Sequence, residues 1–261
     1  MFVTILGSSA KQTSKRECVS LLLDTSSETI LFDTGPGIVS SLDYVSRKCS
    51  DISTLILTHV HGDHIAGFAY YIWARNAEVK SLTVNSPEQY HLSVYGKRDT
   101  LNLAKATLQM TYPTMKLSFA ISFHEVGSND SFAFSDTLSI QLIDAVHAVP
   151  TLSTVVMDGN KKFVYTSDTL PNLQLVNAAN TADMLIHEGM YTQDSFSHSR
   201  QSMHSTAFDA ANFARKVKAK QLILVHVAPK MFGKEHLLLT EASNEFDGVI
   251  SVPCDGTVYY V

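Results

Sequence analysis

The sequence predicts an α/β protein in which two β-rich halves are each covered by helices. Short apolar runs typical of strands alternate with segments of helical apolar spacing along the whole chain. Apolar residues make up 45% and charged residues 17% of the 261 residues, which is enough apolar material for a sizeable core. No repeat, low-complexity segment or proline-rich linker divides the chain. We therefore expect a single domain over residues 1–261.

The first half begins with three short strands, at residues 2–6, 18–23 and 29–32, separated by polar turns. A tight Asp33-Thr34-Gly35-Pro36-Gly37 turn follows, and apolar residues at helical spacing then predict a helix from Ile38. The continuous apolar run 52–57 is typical of a strand buried on both faces. Beyond it we expect a helix over 65–74, a strand over 79–84, a helical region to about residue 110, and strands near 118–126 and 137–146.

The second half repeats this alternation. Strands are expected near 152–157 and 163–166, followed by a helix and a strand over 184–187. A helix over 206–217, a strand over 222–227 and a last helix near 235–244 complete the chain.

Charge and cysteine content limit the function classes. Twenty Lys and Arg face 25 Asp and Glu, a formal charge of −5, which argues against a protein that coats nucleic acid or an anionic membrane. The cysteines Cys18, Cys49 and Cys254 form no Cys-x-x-Cys pair, so the sequence indicates neither a disulfide framework nor a cysteine zinc site. With no bilayer-length apolar run and no secretion signal, we expect a cytoplasmic protein without a membrane partner.

A dense group of metal-binding residue types follows the buried run 52–57. His59, His61, Asp63 and His64 lie within six positions, and Gly62 permits a sharp bend between the two pairs. Two pairs of ligands can then face two metal ions. Imidazole and carboxylate together suit zinc, with iron or manganese as alternatives, and leave coordination positions open for water. The sequence therefore predicts a hydrolytic metal site.

This motif resembles that of the metallo-β-lactamase superfamily of dinuclear metallohydrolases, and the resemblance extends over nearly the whole chain. It implies a four-layer αββα sandwich and two divalent metal ions, with zinc the first choice. By the same resemblance, His147 completes the first metal site with His59 and His61, and His226 completes the second with Asp63 and His64. Asp168 is implied as the ligand that bridges both ions. Asp33 matches an aspartate that has a supporting role in the superfamily.

Two further segments resemble motifs of ribonuclease Z: Leu185-Ile186-His187-Glu188-Gly189 and His204-Ser205-Thr206. The resemblance implies that His204 is the general acid for the leaving oxygen and that Glu188 orients it. The nucleophile is expected to be a hydroxide that bridges the metals and is oriented by Asp63. The alternative for the second motif is an ordinary helix cap that leaves His204 solvated. His187 is expected to be a hydrogen-bond partner rather than a ligand.

The chain departs from ribonuclease Z in two places. Gly189 and Met190 stand where that group has Ala-Thr. Only twenty residues separate His147 from Asp168, so the long basic arm that bacterial ribonuclease Z uses to grip tRNA is absent. Six basic residues could form a substitute phosphate-attracting rim or simply a solvated helix face. They are Arg215, Lys216, Lys218, Lys220, Lys230 and Lys234.

These observations favour a dinuclear zinc phosphodiesterase related to ribonuclease Z that acts on a small or cyclic phosphodiester. The alternatives are a tRNA 3′-processing endonuclease that takes an RNA 3′ end, a lactonase, thioesterase or arylsulfatase on the same site, and a non-catalytic metal or ligand sensor. A di-iron redox protein is disfavoured, because such relatives carry a glutamate where this chain has His61. The family resemblance also suggests a homodimer.

Overall fold

The chain folds into two mixed β-sheets packed face to face, in a computed structural model that describes residues 1–82 and 86–261. In chain order the strands are β1 (Phe2–Gly7), β2 (Ser20–Asp24), β3 (Thr29–Phe32), β4 (Thr54–Leu57), β5 (Leu92–Gly96), β6 (Ile121–Glu125), β7 (Ser131–Ala133), β8 (Leu138–Asp144), β9 (Leu152–Asp158), β10 (Lys161–Tyr165), β11 (Met184–Glu188), β12 (Gln221–Val225), β13 (Val249–Ser251) and β14 (Val258–Tyr260). The helices are α1 (Ile38–Tyr44), α2 (Gly62–Ile65), α3 (Phe68–Lys80), α4 (Arg98–Thr111), α5 (Leu175–Ala179), α6 (Phe196–Gln201), α7 (Ala207–Lys216) and α8 (Glu235–Ser243).

The two sheets have matching strand arrangements. The first runs in the order β14-β1-β2-β3-β4-β5-β6 and the second in the order β13-β12-β11-β10-β9-β8-β7. In each, a parallel group of four strands, β3 to β6 or β10 to β13, adjoins an antiparallel group. The C-terminal segment supplies an edge strand to both sheets, because β14 pairs with β1 and β13 pairs with β12.

Three apolar layers hold the sheets and helices together. Strand side chains alternate between layers, so in β4 Ile56 faces the other sheet while Leu55 and Leu57 face the helices. Helices α1, α3 and α4 cover the first sheet, and α5, α7 and α8 cover the second. Because both faces of the central strands are buried, these strands read in the sequence as continuous apolar runs. The result is the predicted four-layer αββα arrangement.

The predicted elements have counterparts in the structure except around residues 65–96, and four short elements, β7, α6, β13 and β14, were not predicted. The expected helix over 65–74 is two helices, α2 and α3, and α3 continues to Lys80. The strand expected over 79–84 is wrong at Val79 and Lys80, which are helical, and its residues Thr83 and Val84 lie outside the described residues. Part of the expected helical region is strand β5, in which buried Leu92, Val94 and Gly96 alternate with half-buried residues. Among the described residues, no helix is long and apolar enough to cross a membrane.

Both sheets direct strand ends to the same edge of the molecule. Strand β4 ends just before His59, and β10 ends just before the segment that carries Asp168. Strands β11 and β12 end at Glu188 and just before His226. The carboxyl ends of parallel strands are where an α/β scaffold presents functional groups.

Candidate metal centre

The seven side chains expected to bind metal converge into two adjoining groups. His59, His61, His147 and Asp168 form one, and Asp63, His64, Asp168 and His226 form the other. Within each group, the potential ligand atoms all lie within 4.8 Å of one another. Asp168 belongs to both groups, as the superfamily resemblance implied. The structure therefore brings together every expected ligand, although they come from four separate segments of the chain.

Imidazole nitrogens face one another in the first group. The Nε2 atoms of His59 and His147 lie 3.1 and 3.2 Å from Nδ1 of His61. Burial lowers the pKa of His59 well below its ordinary value, so the ring is neutral and presents a lone pair. Several converging lone pairs without protons between them are what a divalent cation requires.

The second group combines two carboxylates with two imidazoles. The Asp168 Oδ2 atom lies 3.4 Å from His64 Nε2 and 3.3 Å from His226 Nε2, and the same His226 atom lies 3.3 Å from Asp63 Oδ2. Among the described residues, His64 Nε2 and Asp168 Oδ1 are buried without a hydrogen-bond partner. Unsatisfied buried ligand atoms are costly unless a further group binds them. The donor set thus fits divalent metal ions.

Hydrogen bonds from outside the groups fix the direction of the rings. His64 Nδ1 donates to Asp33 Oδ2 at 2.8 Å, and Asp33 in turn accepts from the Thr58 backbone N–H and hydroxyl. The Thr58 hydroxyl also accepts from His59 Nδ1 at 3.0 Å, while His147 Nδ1 donates to the Met203 carbonyl at 2.9 Å. In these three histidines the outer nitrogen is occupied, which leaves Nε2 for the metal.

Asp33 therefore orients His64 rather than only forming a turn. Its backbone has a positive φ of 62° in the conformation that makes this hydrogen bond. Three more positive φ angles lie at the centre: Ser167 (55°) just before Asp168, Met203 (59°) just before His204, and His226 itself (57°). Non-glycine residues adopt this conformation at a cost of about 1–3 kcal/mol each, and such residues cluster at functional sites.

His204 and Glu188 lie beside the second group. His204 Nδ1 is 3.1 and 3.2 Å from the two Glu188 oxygens and 3.9 Å from Asp168 Oδ2. Burial alone would lower the pKa of His204, but Glu188, with smaller contributions from Asp168 and Asp63, outweighs burial and raises the pKa to about 9. The ring is therefore protonated at neutral pH and Nε2 carries a proton that Glu188 does not engage.

The helix-cap alternative holds together with this arrangement. Thr206 Oγ1 accepts from the Asp209 N–H at 3.2 Å, and Asp209 Oδ2 accepts from the Thr206 N–H at 2.9 Å, a capping box for α7. The cap residue lies two residues after His204 and fixes the start of α7. His204 is only 9% exposed, so it is not a plain solvated histidine.

His187, Thr169 and Ser205 contact Glu188 or its neighbours. His187 packs on Phe213, its Nδ1 lies 2.7 Å from the Glu188 carbonyl, and burial lowers its pKa to about 4. The Thr169 N–H donates to Glu188, and Ser205 donates to the Thr169 carbonyl. The sequence analysis did not identify Thr58, Thr169 and Met203 as partners of site residues. The hydroxyl of Thr58, between a buried strand and His59, could have indicated its role. Thr169 and Met203 act through backbone groups, which leave no signal in a sequence.

Only part of the basic stretch lies near the centre. Arg215 pairs with Glu245 and Lys220 pairs with Asp183. Lys220 directly precedes β12, whose five residues put it about 17 Å from His226. Lys230 follows His226, donates to Ser195 and lies 4.2 Å from the centre of a tyrosine ring that adjoins Met190. Lys220 is thus too far from His226 to form part of the predicted rim, whereas Lys230 contacts residues of the segment that follows Glu188.

A family model described as Anti-Pycsar protein Apyc1 matches residues 1–241. The chain belongs to this family. Ribonuclease Z of Haloarcula marismortui is 25% identical over 98% of this chain and 95% of its own length. Human tRNase Z, short form, has a TM-score of 0.82 at 21% identity and covers 100% of this chain and 99% of its own. The metallo-β-lactamase fold protein YhfI from Bacillus subtilis has a TM-score of 0.81 at 21% identity, covering 99% and 98%.

These comparisons confirm the predicted metallo-β-lactamase fold. This Apyc1-family member is a metal-dependent hydrolase of that superfamily, related to ribonuclease Z. Its cluster of His and Asp side chains suits divalent metal ions. Between His147 and Asp168 the Apyc1-family chain has only the β9–β10 hairpin, in which Lys161 lies opposite Asp158 in the antiparallel strand register.

Proposed function

We propose that this protein is a dinuclear metal phosphodiesterase that cleaves a small or cyclic phosphodiester. The observation that carries the proposal is the position of His204, whose Nδ1 lies 3.1 Å from Glu188, beside two ligand groups that share Asp168. Cleavage of a phosphodiester requires neutralisation of charge on phosphorus and a proton for a poor leaving group. This arrangement supplies both requirements side by side.

The ligand set supports two ions, with zinc the first choice and manganese or iron as alternatives. His59, His61 and His147 would hold one, Asp63, His64 and His226 the other, and Asp168 both. Divalent ions in such sites lower the pKa of bound water from 15.7 to about 7 and neutralise phosphoryl charge.

The residues of the chain perform the remaining steps. Asp63 is the most accessible ligand carboxylate, with 27% of its side chain exposed, and it orients the attacking water by accepting its hydrogen bond. His204 donates its Nε2 proton to the departing oxygen. Glu188 holds the ring through Nδ1 and stabilises its charge, so that the proton is available at neutral pH.

The leaving group provides the test of His204. In His204→Ala, kcat on a 3′,5′-cyclic nucleotide should fall about 10²–10⁴-fold, because an alkoxide must be protonated as it leaves. The loss on bis(p-nitrophenyl) phosphate should be much smaller, since p-nitrophenolate departs without a proton. Metal content should be unchanged, and His236→Ala, which alters an exposed histidine of α8, is the control. Equal losses on both substrates would exclude the acid role.

Substrate size is the second test. The hairpin between His147 and Asp168 offers no arm to grip a polynucleotide, which supports a small substrate. Similarity to proteins named ribonuclease Z supports the alternative of precursor-tRNA cleavage. Turnover of cyclic nucleotides, precursor tRNA, lactones and aryl sulfates should be compared on the metal-loaded protein. A steep fall of RNA affinity with salt would indicate several phosphate contacts and favour the tRNA alternative.

We also propose that residues 1–261 form a single domain that assembles as a homodimer in the cytoplasm. The strands contributed by residues 249–261 to both sheets support the single domain, because they tie the two halves together. The cysteines, all free, support a reducing compartment. Light scattering after size-exclusion chromatography tests the assembly: a monomeric mass at micromolar concentration would contradict it.

A further inference from the structure

A second group of metal-binding side chains lies outside the catalytic centre. His91 and His124 each place Nε2 2.9 Å from the Ser122 hydroxyl oxygen. Ser122 and His124 lie two residues apart on β6, so their side chains share a face of the strand. Two imidazole nitrogens therefore converge on one point at the lateral edge of the first sheet, where β6 is the edge strand.

The backbone and the neighbouring rings hold this group in place. Leu92, next to His91, pairs with Ile121, next to Ser122, and its N–H donates to the Ala120 carbonyl at 2.9 Å. The His124 ring stacks on Tyr95 with centroids 4.6 Å apart and planes inclined by 18°. Tyr95 stacks in turn on Phe132 of β7, at 4.5 Å and 6°. Such fixed rings lose little conformational freedom when they bind a ligand.

This group is separate from the catalytic centre. His124 pairs with Tyr95 of β5, which pairs with Ile56 of β4, so His124 lies two strand spacings, about 10 Å, across the sheet from Ile56. His59 lies a further three residues, about 10 Å, along the chain from Ile56, and His91 precedes the opposite end of β5. An ion at one location cannot share ligands with an ion at the other.

We propose that His91 and His124 form a second, surface metal site for a borderline transition-metal ion: Cu²⁺, Ni²⁺ or Zn²⁺. Imidazole is the ligand that these ions prefer, and among divalent ions of the first row copper binds such donors most tightly. The Ser122 hydroxyl has a single proton, so it can donate to only one of the two Nε2 atoms. The other Nε2 must therefore carry a proton and donate it to the Ser122 oxygen. The ion displaces that proton, takes both Nε2 lone pairs and completes its coordination with water or the Ser122 oxygen.

Copper added to the zinc-loaded protein tests the site. One equivalent of Cu²⁺ should bind without releasing zinc, and its electron paramagnetic resonance spectrum should show coupling to two imidazole nitrogens. In His91→Ala or His124→Ala the coupling should fall to one nitrogen. Copper affinity should fall about 10²-fold, because the second imidazole binds at a high effective concentration once the first is engaged.

His236→Ala provides the matched control, since it removes an exposed histidine from α8 and should leave copper binding unchanged. All three variants should keep the hydrolytic activity and the melting temperature of the copper-free protein, because none of these side chains lies in the core. Copper affinity and spectrum that are identical in His91→Ala, His124→Ala and the unmodified protein would overturn the proposal. Release of one zinc ion per copper bound would also overturn it, since copper would then occupy the catalytic ligands.

Discussion

The two halves of the molecule supply the metal centre in different ways. The first half contributes four candidate ligands from one segment that follows β4 and enters α2, within the six residues from His59 to His64. The second sheet contributes single side chains from separate segments: His147, Asp168, Glu188, His204 and His226. A contiguous group can be recognised in a sequence because its spacing is local, whereas a dispersed group exists only once parallel strands align their carboxyl ends.

The halves also differ in how they orient their ligands. Asp33 serves the first half as a support that accepts hydrogen bonds from His64 and Thr58. In the second half, Glu188 and the Met203 carbonyl hold His204 and His147, and three positive φ angles, at Ser167, Met203 and His226, shape the loops. Each half therefore uses a buried carboxylate, Asp33 or Glu188, to hold a histidine, and strained backbone is more frequent in the second half.

Asp168 is the one side chain common to both ligand groups, so its loss should have the largest effect. In Asp168→Ala, turnover of every ester substrate should fall to the background rate, because both groups lose a carboxylate. Inductively coupled plasma mass spectrometry should find less than half of the wild-type metal content. Full metal content in a folded variant would show that the two groups do not depend on a shared ligand.

Asp33→Asn tests the support of the first half. The amide would present an N–H to His64 Nδ1, which favours the ring tautomer that carries its proton on the metal-facing Nε2. Metal affinity at the His64 group should fall about 10–100-fold, as is typical when an outer partner of a ligand is lost. Competition with a fluorescent chelator measures this, with Asp43→Asn, an exposed aspartate of α1, as the control. An unchanged affinity would assign Asp33 to the turn alone.

Thr206→Ala tests the helix cap that fixes the second half near His204. Loss of the capping hydroxyl should lower the free energy of unfolding by about 1 kcal/mol. Thr206→Ser keeps the hydroxyl and should be closer to wild type. Urea unfolding gives both values. If the alanine and serine variants are equally destabilised, the lost methyl group rather than the cap accounts for the effect.

Thiol reactivity should show the smallest functional effect. Burial raises the pKa of Cys18 to about 11 and of Cys49 to about 12, so neither forms much thiolate at neutral pH. Cys254 is exposed. Iodoacetamide should therefore label Cys254 first, with hydrolytic activity retained, as mass spectrometry of tryptic peptides can establish. Labelling of Cys18 at a comparable rate would show that the loop beside Asp63 opens in solution.

Much of the fold could be predicted, because strands buried on both faces give continuous apolar runs. Strands β4, β11 and β12 coincide with the runs at 52–57, 184–187 and 222–227 to within two residues. The edge strands β13 and β14 could not be predicted. Each has three residues, too few for a periodic pattern, and β14 pairs with β1 from the opposite end of the chain. Their formation depends on a partner strand rather than on local preference.

By itself, the sequence determined the chemistry available to this protein: the local His59-to-His64 motif, three more ligand candidates at strand ends, and the short connection that excludes a tRNA-gripping arm. Only the tertiary structure decided that Asp168 joins both ligand groups, that Asp33 fixes His64, and that Glu188 keeps His204 protonated. The physical reason is distance. Residue types and spacing record which ligands a chain carries, but hydrogen bonds and pKa values depend on atoms a few ångströms apart that only folding brings together.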